Sequence, residues 1–121
     1  KFRLAETYLL LAEAYLRQDM PDKAADAVNE VRRRAKVSDV SDEEMTMDFL
    51  LDERIRELYG EESRRFTLIR TGKLLERVRK YNPEARDLIQ DFHVLWPIPQ
   101  AIRDANVGNF PQNPGYEGYE G

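Results

Sequence analysis

With 121 residues, 41% of them hydrophobic and 35% charged, the chain has the size and composition of one folded domain and is too apolar for a disordered tail. Its formal net charge of -4 gives no general electrostatic reason to bind nucleic acid, and the lack of cysteine excludes disulfides, thiolate nucleophiles and cysteine zinc sites. No apolar run approaches the roughly 20 residues of a membrane-spanning helix, and no signal peptide is visible.

Lys1-Phe2-Arg3-Leu4 enters a helical pattern with neither an initiator Met nor a capping residue, so a piece of a longer protein is expected. From Leu4 to Arg17 apolar residues recur at helical spacing, with Leu4, Tyr8, Leu11 and Tyr15 in one column and Leu9, Ala12 and Leu16 beside it. Asp19-Met20-Pro21 ends this helix and opens a second, Asp19 being a suitable cap and proline being tolerated in a first turn. Ala24, Ala27, Val28 and Val31 mark its inner face, and it closes in the basic run Arg32-Arg33-Arg34-Ala35-Lys36, where cations suit the helix C-terminus. That run is too short and isolated to argue for nucleic acid.

This helix pair resembles a tetratricopeptide repeat: Tyr8, Leu11, Ala12, Tyr15, Ala24 and Val28 fall at the large, large, small, large, small and large positions of that motif. One such pair leaves a face unburied, so further helical hairpins are expected before Lys1 in the parent protein.

Val37 to Val40 reads as a loop, and Ser41-Asp42-Glu43-Glu44 as a capping box that starts a third helix. Met47, Leu50, Leu51, Leu58 and Tyr59 form its expected buried stripe, interrupted by Arg54, with an end near Gly60 and a bend through Ser63. Phe66, Leu68 and Ile69 predict a short helix, and Leu74, Leu75 and Val78 a last amphipathic one ending before Asn82-Pro83. Beyond Pro83 the period is lost. Leu88-Ile89 predicts a helical turn, His93 to Pro99 an extended segment fixed by two prolines, and Gln100 to Ala105 one more short turn. The expected fold is therefore all-α: a single domain over 1–121, with a tetratricopeptide-like helix pair in 1–36, helices with a charged motif in 41–82, and an ordered Pro/Asn-rich strap in 83–121.

The densest constellation is LLDERIRELYGEESRRFTLIR, from Leu50 to Arg70. Asp52 with Arg56, Glu53 with Arg56, and Arg54 with Glu57 are all spaced to pair along one helix, and Glu61 with Arg64 follow past the bend. Arg54 lies between Leu51 and Leu58 on the apolar stripe, where an unpaired charge costs several kcal/mol, so the expectation is a buried cross-helix network that pins the bend. A glycosidase-like carboxylate pair is the competing reading. It needs an acid and a base facing each other, whereas arginine neighbours favour paired, ionised carboxylates. No catalytic residue, metal or cofactor is therefore expected. His93 is the only histidine and has no partners at metal-ligand spacing. Trp96, Tyr116 and Tyr119 offer an aromatic platform for a sugar or base, but Trp96, between Leu95 and Pro97, is expected in the core.

Taken in order, the helix pair, LLDERIRELYGEESRRFTLIRTGKLLERV and HVLWPIPQAIRDANVGNFPQNPGY resemble the C-terminal part of the SusD/RagB family across essentially the whole chain. The resemblance implies a Bacteroidetes outer-membrane lipoprotein at the cell surface, held by an N-terminal lipid anchor outside this chain. It further implies that the protein binds a nutrient, usually an oligosaccharide, and works with a SusC-like TonB-dependent transporter. Glu53, Arg54, Glu57, Leu58, Glu61, Arg64, Phe66, Leu68 and Arg70 match the family's central motif. Trp96 fills the slot before Pro97-Ile98-Pro99, and Asn106, Gln112, Asn113, Pro114, Gly115 and Tyr116 match the closing motif. Glu62, Arg65 and Thr67 depart from the pattern, where glycine, an aromatic and aspartate are usual. The matched residues read as scaffold, and no ligand-binding residue carries over. A tetratricopeptide-type protein-interaction scaffold is the alternative function.

Overall fold

A computed structural model describes residues 3–119, so Lys1, Phe2, Glu120 and Gly121 lie outside the description, including the first residues of the abrupt opening and the end of the GYEGYEG tail. The described residues form six α-helices and one 3-10 turn, with no strand among them. They divide into two compact units, one reaching to Glu62 and one beginning at Ser63.

The first unit holds α1 (Leu4–Leu16), α2 (Pro21–Arg34) and α3 (Met47–Glu57). Alanines at the packing surface let helix backbones approach, and Leu9, Ala12, Ala24 and Val28 are fully buried in a core that also takes in Ala5, Val31, Val40, Met45, Leu50 and Leu58. Burying a side chain such as Leu9 or Leu50 contributes about 1.5–3 kcal/mol. Of the two columns expected on α1, only the one through Leu9 and Ala12 is sealed. Leu4 is 70% exposed and Leu11 40% exposed, while Tyr8 and Tyr15 pack at the core's edge.

The turns carry their own chemistry. Asp19 does not cap α2; it adopts a left-handed φ of 54°, and the Met20 amide donates to the Tyr15 carbonyl to close α1. Pro21 then occupies the first turn of α2. Lys36 closes α2 the same way, at φ 58°, with its own amide on Arg33 and that of Val37 on Arg32. The loop that follows is fixed by buried Asn29, whose side chain both donates to and accepts from the Val40 backbone at 3.0 and 2.8 Å.

Ser41 and Glu44 do satisfy each other's backbone amides, but they support only a turn. The third helix starts later, at Met47, because Thr46 accepts the Phe49 amide at 3.2 Å and is the true N-cap. It stops at Glu57, with Leu58 in a non-helical conformation. The helical phase is lost there, which is why Tyr59 is 87% exposed and not part of the buried stripe.

The second unit holds α4 (Arg64–Arg70), α5 (Leu74–Tyr81), a 3-10 turn (Asp91–Val94) and α6 (Gln100–Asp104). Gly72, at φ 70°, ends α4, with the Lys73 amide on the Leu68 carbonyl. Asn82 ends α5 and accepts the Glu84 and Ala85 amides, building the next turn. His93 and Val94 belong to the 3-10 turn, so the extended run is shorter than the sequence indicates and occupies Trp96 to Pro99. The turn forms because Gln90 and His93 cap each other reciprocally.

Candidate functional site

The charged motif on α3 closes into ion pairs that reach well beyond i+4. Arg54 is 2% exposed, and its Nε meets Glu62 at 2.6 Å, with Glu6 of α1 at 3.9 Å from Nη2. The expected Arg54 partner, Glu57, turns instead to Arg34 at 2.6 Å and Arg3 at 3.0 Å, because Glu62 reaches the buried guanidinium across the bend at Gly60. Glu53 bridges Arg32 of α2 at 2.8 Å and Arg56 of its own helix at 2.9 Å. Glu61 sits on Arg3 at 2.7 Å. The hydrogen bonds that Arg3 donates to Glu61 are the main cause holding its guanidinium above its usual pKa, with burial opposing and Glu57 adding.

Acidic α3 is thus stitched to α1, to the basic end of α2 and to the bend. The buried network that the isolated arginine implied is present, with Glu62 as its central carboxylate. Glu62 stands where the resemblance leads one to expect glycine, and its carboxylate holds Arg54 across the bend. Each motif glutamate faces a guanidinium, an arrangement that can brace helices but supplies no opposed acid and base. Among the described residues, no group of three His, Cys, Asp or Glu side chains could hold a metal ion.

In the second unit, Arg64 opens α4 and Arg70 closes it. Arg65 donates to the His93 carbonyl, and its guanidinium lies 4.4 Å from the centre of the Trp96 ring. Trp96 is 55% exposed, which corrects its expected place in the core. The cation over its face holds it in place of apolar burial.

The closing motif works through backbone contacts. Buried Gln112 donates to the Ile98 carbonyl at 2.9 Å and accepts its amide at 2.7 Å, imitating a strand pairing with one side chain. Asn113 donates to the Trp96 carbonyl at 2.7 Å, and the half-buried Tyr116 hydroxyl to the Leu95 carbonyl at 2.8 Å. Tyr116 also meets Phe92 edge-on at 4.9 Å. Asn106 does not join this set; it donates to the Ile102 carbonyl at 2.6 Å and finishes α6. Tyr119 is exposed, and among the described residues no ring contact joins Trp96, Tyr116 and Tyr119 into a platform.

Sequence reasoning missed Asn29, Thr46 and Arg3 as fasteners. Thr46 had a legible signal, a hydroxyl residue directly before an apolar-periodic run. Asn29 and Arg3 had none, since their partners lie 11 to 58 positions away.

These contacts define helices fastened by ion pairs in the first unit and, in the second, a C-terminal segment whose side chains bond the backbone of Leu95 to Ile98. The SusD family pattern matches residues 1–116, and the chain belongs to the SusD family. It is 37% identical over 109 residues to SusD-like protein P25 of Formosa agariphila, covering 81% of this chain and 20% of that protein. It is 35% identical over 125 residues to the starch-binding protein SusD of Bacteroides thetaiotaomicron, covering 96% and 21%. A second Formosa agariphila relative, SusD-like protein P38, is 32% identical over 108 residues, covering 80% and 20%. The chain spans about a fifth of the length of these curated relatives. No solved structure matches it.

Proposed function

We propose that this chain is a scaffold segment of a nutrient-binding lipoprotein at the surface of the outer membrane, which captures a glycan and works with a SusC-like TonB-dependent transporter. The observation that carries the reading is the family match across residues 1–116, on a chain whose motif residues Glu53, Arg54 and Glu57 are tied to other charged side chains. Carboxylates braced by arginines are struts, so the captured oligosaccharide is held mainly by other parts of the protein, and this segment performs no catalysis. One relative is named for starch binding, which makes an α-glucan the first ligand to try.

Affinity electrophoresis of the intact parent protein in gels containing soluble starch and a panel of other polysaccharides tests this, together with co-purification from outer membranes. Retarded migration in at least one polysaccharide, and recovery with a transporter barrel, are expected. Unretarded migration throughout, with the protein recovered from the cytosol, would overturn the reading. One feature favours a second reading, a protein-interaction scaffold: an open groove of about 250 Å3 on α1 and α2, lined by Tyr8, Leu11 and Tyr15 with Lys23, Asp26 and Glu30. A peptide ligand recovered in pull-downs, without glycan binding, would favour that alternative.

A further inference from the structure

A cleft of about 330 Å3 lies in the second unit, lined by Arg65 of α4, Val78 of α5, and Asn82, Ala85, Leu88, Ile89 and His93 from the turns that follow. Its volume is at the lower end of the ~300–1,000 Å3 typical of small-molecule sites. Four of its walls are aliphatic, and all three polar lining residues are left as donors. Asn82 uses its oxygen on the Glu84 and Ala85 amides, which leaves its NH2 as the remaining polar group. His93 accepts the Gln90 amide on Nδ1 at 2.8 Å, so the neutral ring carries its proton on Nε2. Arg65 gives one Nη2 N–H to the His93 carbonyl and rests on the Trp96 ring, which leaves the other N–H groups of its terminal fork as donors, while its Nε is buried with no hydrogen-bond partner among the described residues. No carboxylate side chain lines the cleft. The surrounding sequence agrees in sign: from Ser63 onward nine Lys and Arg stand against seven Asp and Glu, whereas ten stand against sixteen up to Glu62.

We propose that this cleft binds a carboxylate carried on a small apolar-faced body, with Arg65 as the charge partner, Asn82 and His93 as flanking donors, and Val78, Leu88 and Ile89 against the C–H surface. Two sources share this chemistry, an acidic sugar and a free aliphatic acid. The site stands on its own residues and does not depend on which glycan the parent protein captures.

Isothermal titration of the intact parent protein with glucuronate, isovalerate, glucose and sulfate separates the cases. Binding of glucuronate alone identifies a sugar acid, binding of isovalerate alone an aliphatic acid, and binding of either supports the site. Arg65→Gln should weaken the carboxylate at least about tenfold, the usual scale for losing a charge-assisted hydrogen bond. Asn82→Asp guards against misfolding, because Asp offers the same acceptor to the Glu84 and Ala85 amides while placing a negative oxygen where the NH2 stood. It should keep the wild-type melting temperature and lose binding by a similar factor. Arg79→Gln, which removes an exposed pair with Asp91, should leave affinity unchanged. No binding of either carboxylate, equally tight binding of sulfate, or undiminished binding in a folded Asn82→Asp variant would each overturn the proposal.

Discussion

The two units fasten their polar groups with a different emphasis. In the unit ending at Glu62, regular helices satisfy their own backbones, so side chains are left to pair with one another, and the pairs are ionic: Arg54 with Glu62, Glu53 with Arg32, Glu57 with Arg34. In the unit beginning at Ser63 much of the backbone is irregular, and side chains are directed to it instead: Gln112 to Ile98, Asn113 to Trp96, Tyr116 to Leu95, Arg103 to Phe110 and Gly118. A segment without secondary structure still owes every buried amide and carbonyl a partner. Gln112 supplies them for part-buried Ile98, and Asn113 and Tyr116 fasten the more exposed carbonyls of Trp96 and Leu95, which accounts for the composition of the tail.

The sharpest way to break this contrast is to strand a charge in the first unit. Glu62→Ala leaves the Arg54 guanidinium buried without its nearest carboxylate and should cost about 3–5 kcal/mol in chemical denaturation. In the second unit the largest effect expected is that of Gly115→Ala. Gly115 sits at φ 87°, and an added Cβ would overlap the Phe92 ring, so strain and overpacking together should cost about 2–4 kcal/mol. Gly72→Ala is the matched control. Its φ is 70° but the space around it is open, so only the backbone term of about 1 kcal/mol should appear.

Gln112→Ala comes next, at about 1–3 kcal/mol, because one deletion unpairs both the amide and the carbonyl of Ile98. Hydrogen exchange should then show faster loss of the Ile98 amide, with little change at Asn29 or Val40 in the other unit. Thr46→Ala should cost the least, about 1 kcal/mol for a lost N-cap, read as a shifted denaturation midpoint.

How much of this was legible in the sequence follows the same division. The helices α1, α2 and α5 could be read closely, because apolar periodicity and the punctuating Pro21, Asn82 and Pro83 are local signals. An arginine on an apolar stripe also announced that a buried pair must exist. It did not announce Glu62, since eight positions and a bend separate the two, and only i+3 and i+4 partners can be read along a helix. The start of α3 was misplaced because Ser41 and Thr46 both carry cap chemistry, and only the later one precedes a continuous helix.

The apolar neighbours of Trp96 point to the core, but a cation over the ring face is a non-local contact that neighbours do not encode. The Gln112–Ile98 pairing is of the same kind, 14 positions apart in an aperiodic segment.

The claim that the charged motif is a buried structural clasp is tested most directly by a double-mutant cycle on Arg54 and Glu62, measured by urea denaturation of the wild type, Arg54→Met, Glu62→Gln and the double variant. If the pair is buried and mutually dependent, each single substitution removes the nearest charge partner of the other residue, and the double variant recovers much of the loss, giving a coupling of about 2 kcal/mol or more. Two small single effects that simply add, with coupling near zero, would mean that Arg54 and Glu62 are independently solvated and that the clasp does not exist.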